Sequence, residues 1–379
     1  MKIGIDARFY GQIGTGIGRY LEKLIENLEK IDNENQYFIL LRKENFHQYQ
    51  PQNKNFQKIL APYPWYSLKE QIFLPLLLYK LKLDLVHFPH FNVPIFYFGK
   101  FIVTIHDLII TRFATTKATT RDLLTYKIKR IFYHLVIKNA VWRAKKILAV
   151  SHFTKNEIIN FFKIQEEKIV VTYEAVNMKQ VQGQKSSHRE LAMGNYLLSV
   201  GNAYPHKNLE RLLRAFKILT SRDENIKLSL QLVLVGKIDY FYKRLQKLVK
   251  ELNIEDKVIF TGPVSNEELI YLYQNALVYV FPSLMEGFGL PGLEAMANGC
   301  PVISSSAGSL PEIYGQAALY FNPENVDEMV EKIKMIINNE NLRNELREKG
   351  LAQVKKYSWP RCAQETLRVY QGFKKEKGQ

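Results

Sequence analysis

The chain has 379 residues, is 46% hydrophobic and 12% aromatic, and carries a formal net charge of +16. This composition excludes a disordered chain, and the length suits two domains better than one core. Two cysteines, Cys300 and Cys362, are too few for a disulfide framework and fit a reducing compartment.

The chain opens MKIGIDARFYG, and Asp6 interrupts the apolar stretch before a signal-peptide core can form. The longest clean apolar run, IFLPLLLY at 72–79, is far short of the roughly 20 residues a membrane span needs. A cytoplasmic protein that is not integral to a membrane is expected. Strand-like runs fall at KIGID (2–6), YFILL (37–41), LVHF (85–88), FIVTIH (101–106) and KILAV (146–150). Helical patterns alternate with them near 17–30, 67–81, 120–142 and 152–162. A polar stretch without pattern, 177–195, reads as the linker. The alternation then restarts with strands at 196–200, 230–236, 257–262, 277–283, 300–305 and 317–321. The tail YSWPRCAQETLRVYQGFKK reads as a terminal helix. Alternating strands and helices in both halves predict α/β, with two doubly wound Rossmann-like domains facing each other across a cleft. In such sheets ligands bind beyond the carboxyl ends of the strands.

Four stretches carry residues suited to chemistry. In DARFYGQIGTGIGRY a strand ends, and Gly11, Gly14, Gly16 and Gly18 precede a helix, a pattern that brings backbone N–H groups to an anion. A dinucleotide site looks similar, but the second strand is followed by Arg42 and Lys43 in place of an acid, which disfavours NAD and leaves NADP open. In VTIHDLI, His106 and Asp107 lie just past a strand end. Nearby His87 and His90 are three apart, but a metal site needs a third ligand, and there is no D-x-D pair for a divalent cation. No metal is expected. In LSVGNAYPHKNLERLL, Lys207 sits at the start of the helix after a strand, where an ammonium and free helix N–H groups suit a diphosphate. The structural alternative is an ordinary helix-start lysine.

The fourth stretch is SLMEGFGLPGLEAMANGCPV, with Glu286 and Glu294 eight positions apart around a glycine-rich loop. Gly287 and Gly289 keep the loop thin, Pro291 suits the first turn of a helix, and Glu294 falls about one turn in. The amides of Gly289 and Leu290 then suit phosphate oxygens, and a carboxylate suits vicinal sugar hydroxyls. The structural alternative for Glu294 is an acid matched to the helix dipole.

EGFGLPGLEAMANGCPV matches the E-x7-E signature of the group 1 glycosyltransferases of family four, and the chain resembles that family over nearly its whole length. GTGIGRY, TIHDL, VSHFTKNEI, VGNAYPHKNL, FTGPVSNEEL and AGSLPEIYG follow in the family's order. The resemblance implies the B-type fold, with an acceptor-binding domain at 1–180, a linker at 181–195 and a nucleotide-sugar-binding domain at 196–357. The helix at 358–379 would cross back to the N-terminal domain. It implies a retaining transferase that needs no cofactor. His106 and Glu286 would be catalytic. The donor would be bound by Gly16, Asn202, His206, Lys207, Glu286, Gly287, Phe288, Gly289, Leu290 and Glu294, with Lys207 on the diphosphate and Glu294 on the ribose. The arginine many relatives carry five positions before the lysine is Asn202 here, and the arginine another branch has directly before it is His206. His206 would then supply charge only when protonated. PWYSLKEQIFLP, HFPHFNVP and TIHDLIITRF resemble the branch of bacterial polysaccharide assembly that uses GDP-mannose, which implies mannosyl transfer to a glycan or lipid-linked glycan. The alternatives are a UDP-sugar transferase of the same fold and a non-catalytic sugar-nucleotide-binding protein.

From Lys117 to Lys163 there are eleven lysines and arginines against two acids. Lys127, Arg130, His134 and Lys138 share one helical face, and Leu124, Ile128, Ile131, Leu135 and Asn139 another. The basic face, with Lys127, Arg130 and Lys138, reads either as solvated surface or as a patch for the acceptor or an anionic membrane at the inner face of the cytoplasmic membrane. No nucleic-acid recognition motif accompanies it.

Overall fold

The computed structural model describes residues 1–11, 15–112, 123–176, 195–222 and 230–375. The predicted linker lies almost wholly outside them. The chain divides into two compact units. The first gathers Met1–Thr111, Arg121–Glu174 and the C-terminal segment from Ser358, and the second gathers Ala175–Tyr357.

The first unit is a seven-stranded parallel sheet in the order β3-β2-β1-β4-β5-β6-β7. Its strands are β1 (Lys2–Asp6), β2 (Gln36–Leu41), β3 (Phe56–Leu60), β4 (Leu85–Phe88), β5 (Phe101–Ile105), β6 (Lys146–Ala149) and β7 (Ile169–Val171). The crossovers are α1 (Thr15–Ile31), α2 (Leu68–Lys80), α3 (Ile109–Arg112), α4 (Leu123–Arg143) and α5 (His152–Phe162). Central strands are buried on both faces, so they read as unbroken apolar runs, and all five predicted strands are present. The two edge strands β3 and β7 were not predicted. β3 is half-solvated with a mixed sequence, FQKIL, and β7 is only three residues long.

The second unit is a six-stranded parallel sheet in the order β10-β9-β8-β11-β12-β13. Its strands are β8 (Tyr196–Val200), β9 (Gln231–Val235), β10 (Val258–Gly262), β11 (Val278–Phe281), β12 (Val302–Ser305) and β13 (Ala318–Phe321). Each corresponds to a predicted strand. The helices are α6 (Leu209–Arg222), α7 (Tyr240–Glu251), α8 (Asn266–Asn275), α9 (Leu290–Ala297), α10 (Leu310–Tyr314), α11 (Val326–Ile337) and α12 (Glu340–Val354). Their starts follow capping chemistry: Asp239 accepts from Phe241 and Tyr242 N–H, and Ser265 from Glu268 N–H. Leu197, Leu232 and Val280 of the sheet pack with Leu213 and Phe216 of α6 and Met329 and Ile333 of α11.

In both sheets the order reverses beside the first strand, at β1/β4 and at β8/β11. These are the switch points at which doubly wound sheets open a crevice for ligands. The last helix, α13 (Trp359–Lys375), belongs to the first unit and packs on α1. Tyr370 on it reaches Nδ1 of buried His87 at 2.6 Å, and Nε2 of His87 meets Thr104 Oγ1 at 2.8 Å. Burial drives the His87 pKa down to about 3, so this histidine is a neutral structural link. Among the described residues no helix is long and apolar enough to cross a membrane.

Candidate functional site

In the second unit the chain leaves β8 at Val200 and turns through Gly201 to Asn208. Lys207 lies in a 3₁₀ turn, Pro205–Lys207, one step before the helix start that the sequence suggested. The cause is Asn208, which takes a left-handed conformation while its amide donates to the carbonyls of Pro282 (3.0 Å) and Pro323 (2.8 Å). These bonds tie the turn to the exit of β11, on the other side of the switch point. His206 reinforces the tie, because its carbonyl accepts from Leu284 N–H at 2.7 Å.

Glu286 follows the exit of β11, and its Oε1 accepts from Lys207 Nζ at 2.6 Å. The two side chains are 10% and 16% exposed. A charge-assisted bond of this length in a partly desolvated crevice is stronger than a surface ion pair. The same ammonium lies 5.5 Å from the centre of the Phe281 ring. Glu286 is held by its backbone: Ser309 donates to its carbonyl from N–H (3.2 Å) and from Oγ (3.0 Å). Gly308 permits that approach. Its φ is +66°, and a Cβ there would stand 2.8 Å from Glu286 N.

Gly289 begins α9 at φ 96°, with Pro291 in the first turn, and no side chain caps the start. Tyr314 holds this start in place: its hydroxyl donates to Gly289 O at 2.6 Å, and a Cβ on Gly292 would meet that hydroxyl. The backbone from Gly287 to Leu290 is thus fixed beside Glu286, and Phe288 is buried with its ring edge-on to Tyr357. One turn into α9 the Glu294 carboxylate accepts from Tyr273 Oη at 3.4 Å. Asn202 is exposed and accepts from Tyr204 N–H through Oδ1. For His206, burial outweighs the attraction of Glu286 and, with Lys207 beside it, lowers the pKa to about 4. At neutral pH His206 therefore adds no charge to the turn. Lys207 carries the positive charge of this turn alone.

In the first unit, residues 12–14 lie outside the described residues. Gly16 stands at the start of α1 with open space where a Cβ would be. Gly18 is needed for packing, since a Cβ would strike the carbonyls of Gly11 and Phe9. His106 follows β5 and uses both ring nitrogens: Nδ1 faces Glu174 Oε1 at 2.8 Å and Nε2 faces Pro89 O at 2.9 Å. A carbonyl only accepts, so Nε2 carries a proton, and the Glu174 carboxylate draws a second onto Nδ1. Burial opposes that charge, but Glu174 and Pro89 outweigh it and hold the pKa above the usual histidine value. Burial drives His90 down to about 3. Neither His87 nor His90 belongs to a cluster suited to a metal, and among the described residues no group of three or more potential ligands occurs.

Sequence reading missed an ion triad at the exit of β1. Arg8 is fully buried and binds Asp6 through Nε and Nη2, each at 2.7 Å. The same Nη2 donates to Glu70 Oε1 at 2.6 Å, and Asn92 donates to that oxygen at 2.7 Å. The only sequence sign was the D-x-R spacing at a strand end; Glu70, in the first turn of α2 behind the Ser67 cap, carries no local sign of the pairing. Glu174 was missed as well; it lies three residues past β7.

On the α4 face, the Lys127 side chain lies outside the described residues. Arg130 is half-buried and Lys138 is exposed, with its ammonium 5.5 Å from the centre of the Trp142 ring. Ile131 and Leu135 are exposed, whereas Ile137, Ala140 and Val141 face the core.

Comparison with known proteins decides the family. The family model described as glycosyl transferases group 1 matches residues 182–353, and that of glycosyltransferase family 4 matches 14–180. An O-antigen chain mannosyltransferase B of Escherichia coli is 32% identical over 75% of this chain and 73% of its own. The chain belongs to the group 1 glycosyltransferases. The O-antigen chain mannosyltransferase RfbU of Salmonella typhimurium is 31% identical over 73% of this chain and 71% of its own. Sucrose-phosphate synthase from Thermosynechococcus elongatus has the same fold, with a TM-score of 0.76 at 21% identity over 98% of each chain. The two Rossmann-like domains of this glycosyltransferase are those of the B-type fold.

Proposed function

We propose that this glycosyltransferase moves mannose from GDP-mannose to a hydroxyl of a glycan or lipid-linked glycan in bacterial cell-surface polysaccharide assembly, with retention of configuration and without a metal. The observation that carries the catalytic part is the Lys207–Glu286 pair at the β8/β11 switch point. The mannose assignment rests on the two relatives named as O-antigen mannosyltransferases, each 31–32% identical.

Departure of a nucleoside diphosphate builds negative charge on phosphate, and a fixed ammonium with a helix N-terminus stabilises it. The diphosphate draws Lys207 away from Glu286. Backbone N–H groups of Phe288, Gly289 and Leu290 add to this. Glu286, released from Lys207, turns to the sugar hydroxyls, and its charge stabilises the oxocarbenium-like sugar. Glu294 takes the ribose hydroxyls, and Asn202 and His206 line the donor turn as neutral partners. His106 acts on the donor sugar. Its pairing with Glu174 leaves no net positive charge to oppose the cationic sugar. The enzyme works in the cytoplasm, peripheral to the inner face of the cytoplasmic membrane.

The stereochemical and metal claims are tested together by proton NMR of the product formed from GDP-α-mannose, with and without EDTA. An α-mannoside formed at an unchanged rate in EDTA is the expected result. A β-mannoside would overturn retention, and a rate abolished by EDTA and restored by Mg²⁺ would overturn metal independence.

A further inference from the structure

The first unit carries an apolar surface that neither its core nor the proposed chemistry uses. On α2, Leu68, Ile72, Leu76 and Tyr79 fall at i, i+4, i+8 and i+11, a single stripe, and all are exposed, Leu68 by 81%. On α4, Ile131, Leu135 and Trp142 form a second exposed stripe at i, i+4 and i+11, with Lys138 between them. The segment 94–99 joins the two. Phe98, 73% exposed, donates its N–H to the Tyr79 hydroxyl at 2.7 Å. Arg143 of α4 donates to the carbonyls of Ile95 and Tyr97, and its guanidinium carbon lies 4.7 Å from the centre of the Phe98 ring. Phe96 is exposed on the same segment. These residues form one continuous face, and exposed apolar faces of this extent mark interaction sites.

Charge identifies the occupant. Residues 68–82, 94–100 and 130–146 contain nine lysines and arginines and a single acid, Glu70. Glu70 is buried in the Arg8 pair and does not reach the surface. Lys69, Lys80, Lys82, Lys100 and Lys145 are exposed around the apolar stripes. A second copy of the chain would bring this basic rim against itself, and like charges repel. An anionic bilayer supplies the opposite charge and an apolar layer for the leucine, phenylalanine and tryptophan side chains at the same depth.

We infer that the face formed by α2, the 94–99 segment and α4 docks on an anionic lipid bilayer, with Leu68, Leu76, Phe98 and Trp142 entering the acyl boundary and the surrounding lysines meeting headgroups. This sharpens the peripheral location proposed above and moves its centre from the Lys127/Arg130/Lys138 stripe to an apolar surface. It does not rest on which sugar is transferred.

The test is sedimentation of the full chain with vesicles of phosphatidylcholine, with and without phosphatidylglycerol. Mixed vesicles should bind, with affinity falling as salt screens the lysines, and phosphatidylcholine alone should bind at least about tenfold less. Leu76→Glu with Phe98→Glu should weaken binding to mixed vesicles about tenfold or more. Hydrolysis of donor in vesicle-free buffer should be unchanged, which shows that the variant is folded and separates this proposal from the donor assignment. Wild-type binding that survives the double substitution overturns the proposal. So does light scattering that shows a wild-type dimer dissolved by the substitutions, with no binding to mixed vesicles.

Discussion

Glu286→Gln should lower donor turnover by about 10²–10³-fold, mainly in kcat, with little change in stability. The substitution keeps the shape of the side chain and removes the charge that the account places beside the reacting sugar. The carboxylate is partly solvated and its partner Lys207 can turn to water, so no ion is left stranded in the core. Lys207→Met should differ in pattern. It removes the only cation of the donor turn, so it should raise KM for the donor and also lower kcat. Steady-state kinetics with one donor separates the two. Glu286→Gln with more than about one third of wild-type turnover would remove this residue from the mechanism.

Arg8→Met should destabilise the first unit by about 3–5 kcal/mol, the cost of stranding buried carboxylates without their cation. Arg8 is fully buried and is the cation shared by Asp6 and Glu70. The pH dependence gives the sign. Burial already holds the Glu70 pKa above its ordinary value, and losing Arg8 raises it further. The folded variant then binds more protons than the unfolded chain as pH falls through that raised pKa, so its stability increases toward acid. Urea unfolding at pH 7 and pH 5 should show the deficit against wild type shrinking at the lower pH. A deficit below about 1 kcal/mol at pH 7 would mean that the triad does not hold the β1 exit. Activity should fall as well, because Asn45 binds the carbonyls of Ala7, Arg8 and Tyr10, and that segment precedes Gly16 at the start of α1.

The sequence made the central strands readable because a parallel strand buried on both faces is an unbroken apolar run. β3 and β7 escaped because an edge strand half in solvent has no such run. Spacing singled out Glu286, Gly289 and Glu294 as a thin loop before a proline-started helix, but it left Glu294 equally open to a helix-dipole role, and their donor roles came from the family resemblance. The supports of that loop were not legible. Tyr314, Gly308 and Ser309 act through packing and carbonyl contacts from a later segment, and no local pattern reveals which backbone they will meet. Charge state was the least legible property. His206 and His106 look alike in sequence, yet burial beside Lys207 lowers the pKa of one to about 4, whereas Glu174 outweighs burial and raises that of the other. The apolar face of α4 was legible as periodicity, but the pattern does not say which face turns inward.

The central claim is most directly tested by binding and slow hydrolysis of GDP-mannose against UDP-glucose, UDP-GlcNAc and UDP-galactose, with Glu286→Ala as control. The account predicts preference for GDP-mannose, lost in the variant. Preference for a UDP-sugar would contradict the mannose assignment while leaving the fold and the Lys207–Glu286 chemistry in place. No release of nucleotide from any donor, with binding intact, would contradict catalysis and favour a sugar-nucleotide-binding protein.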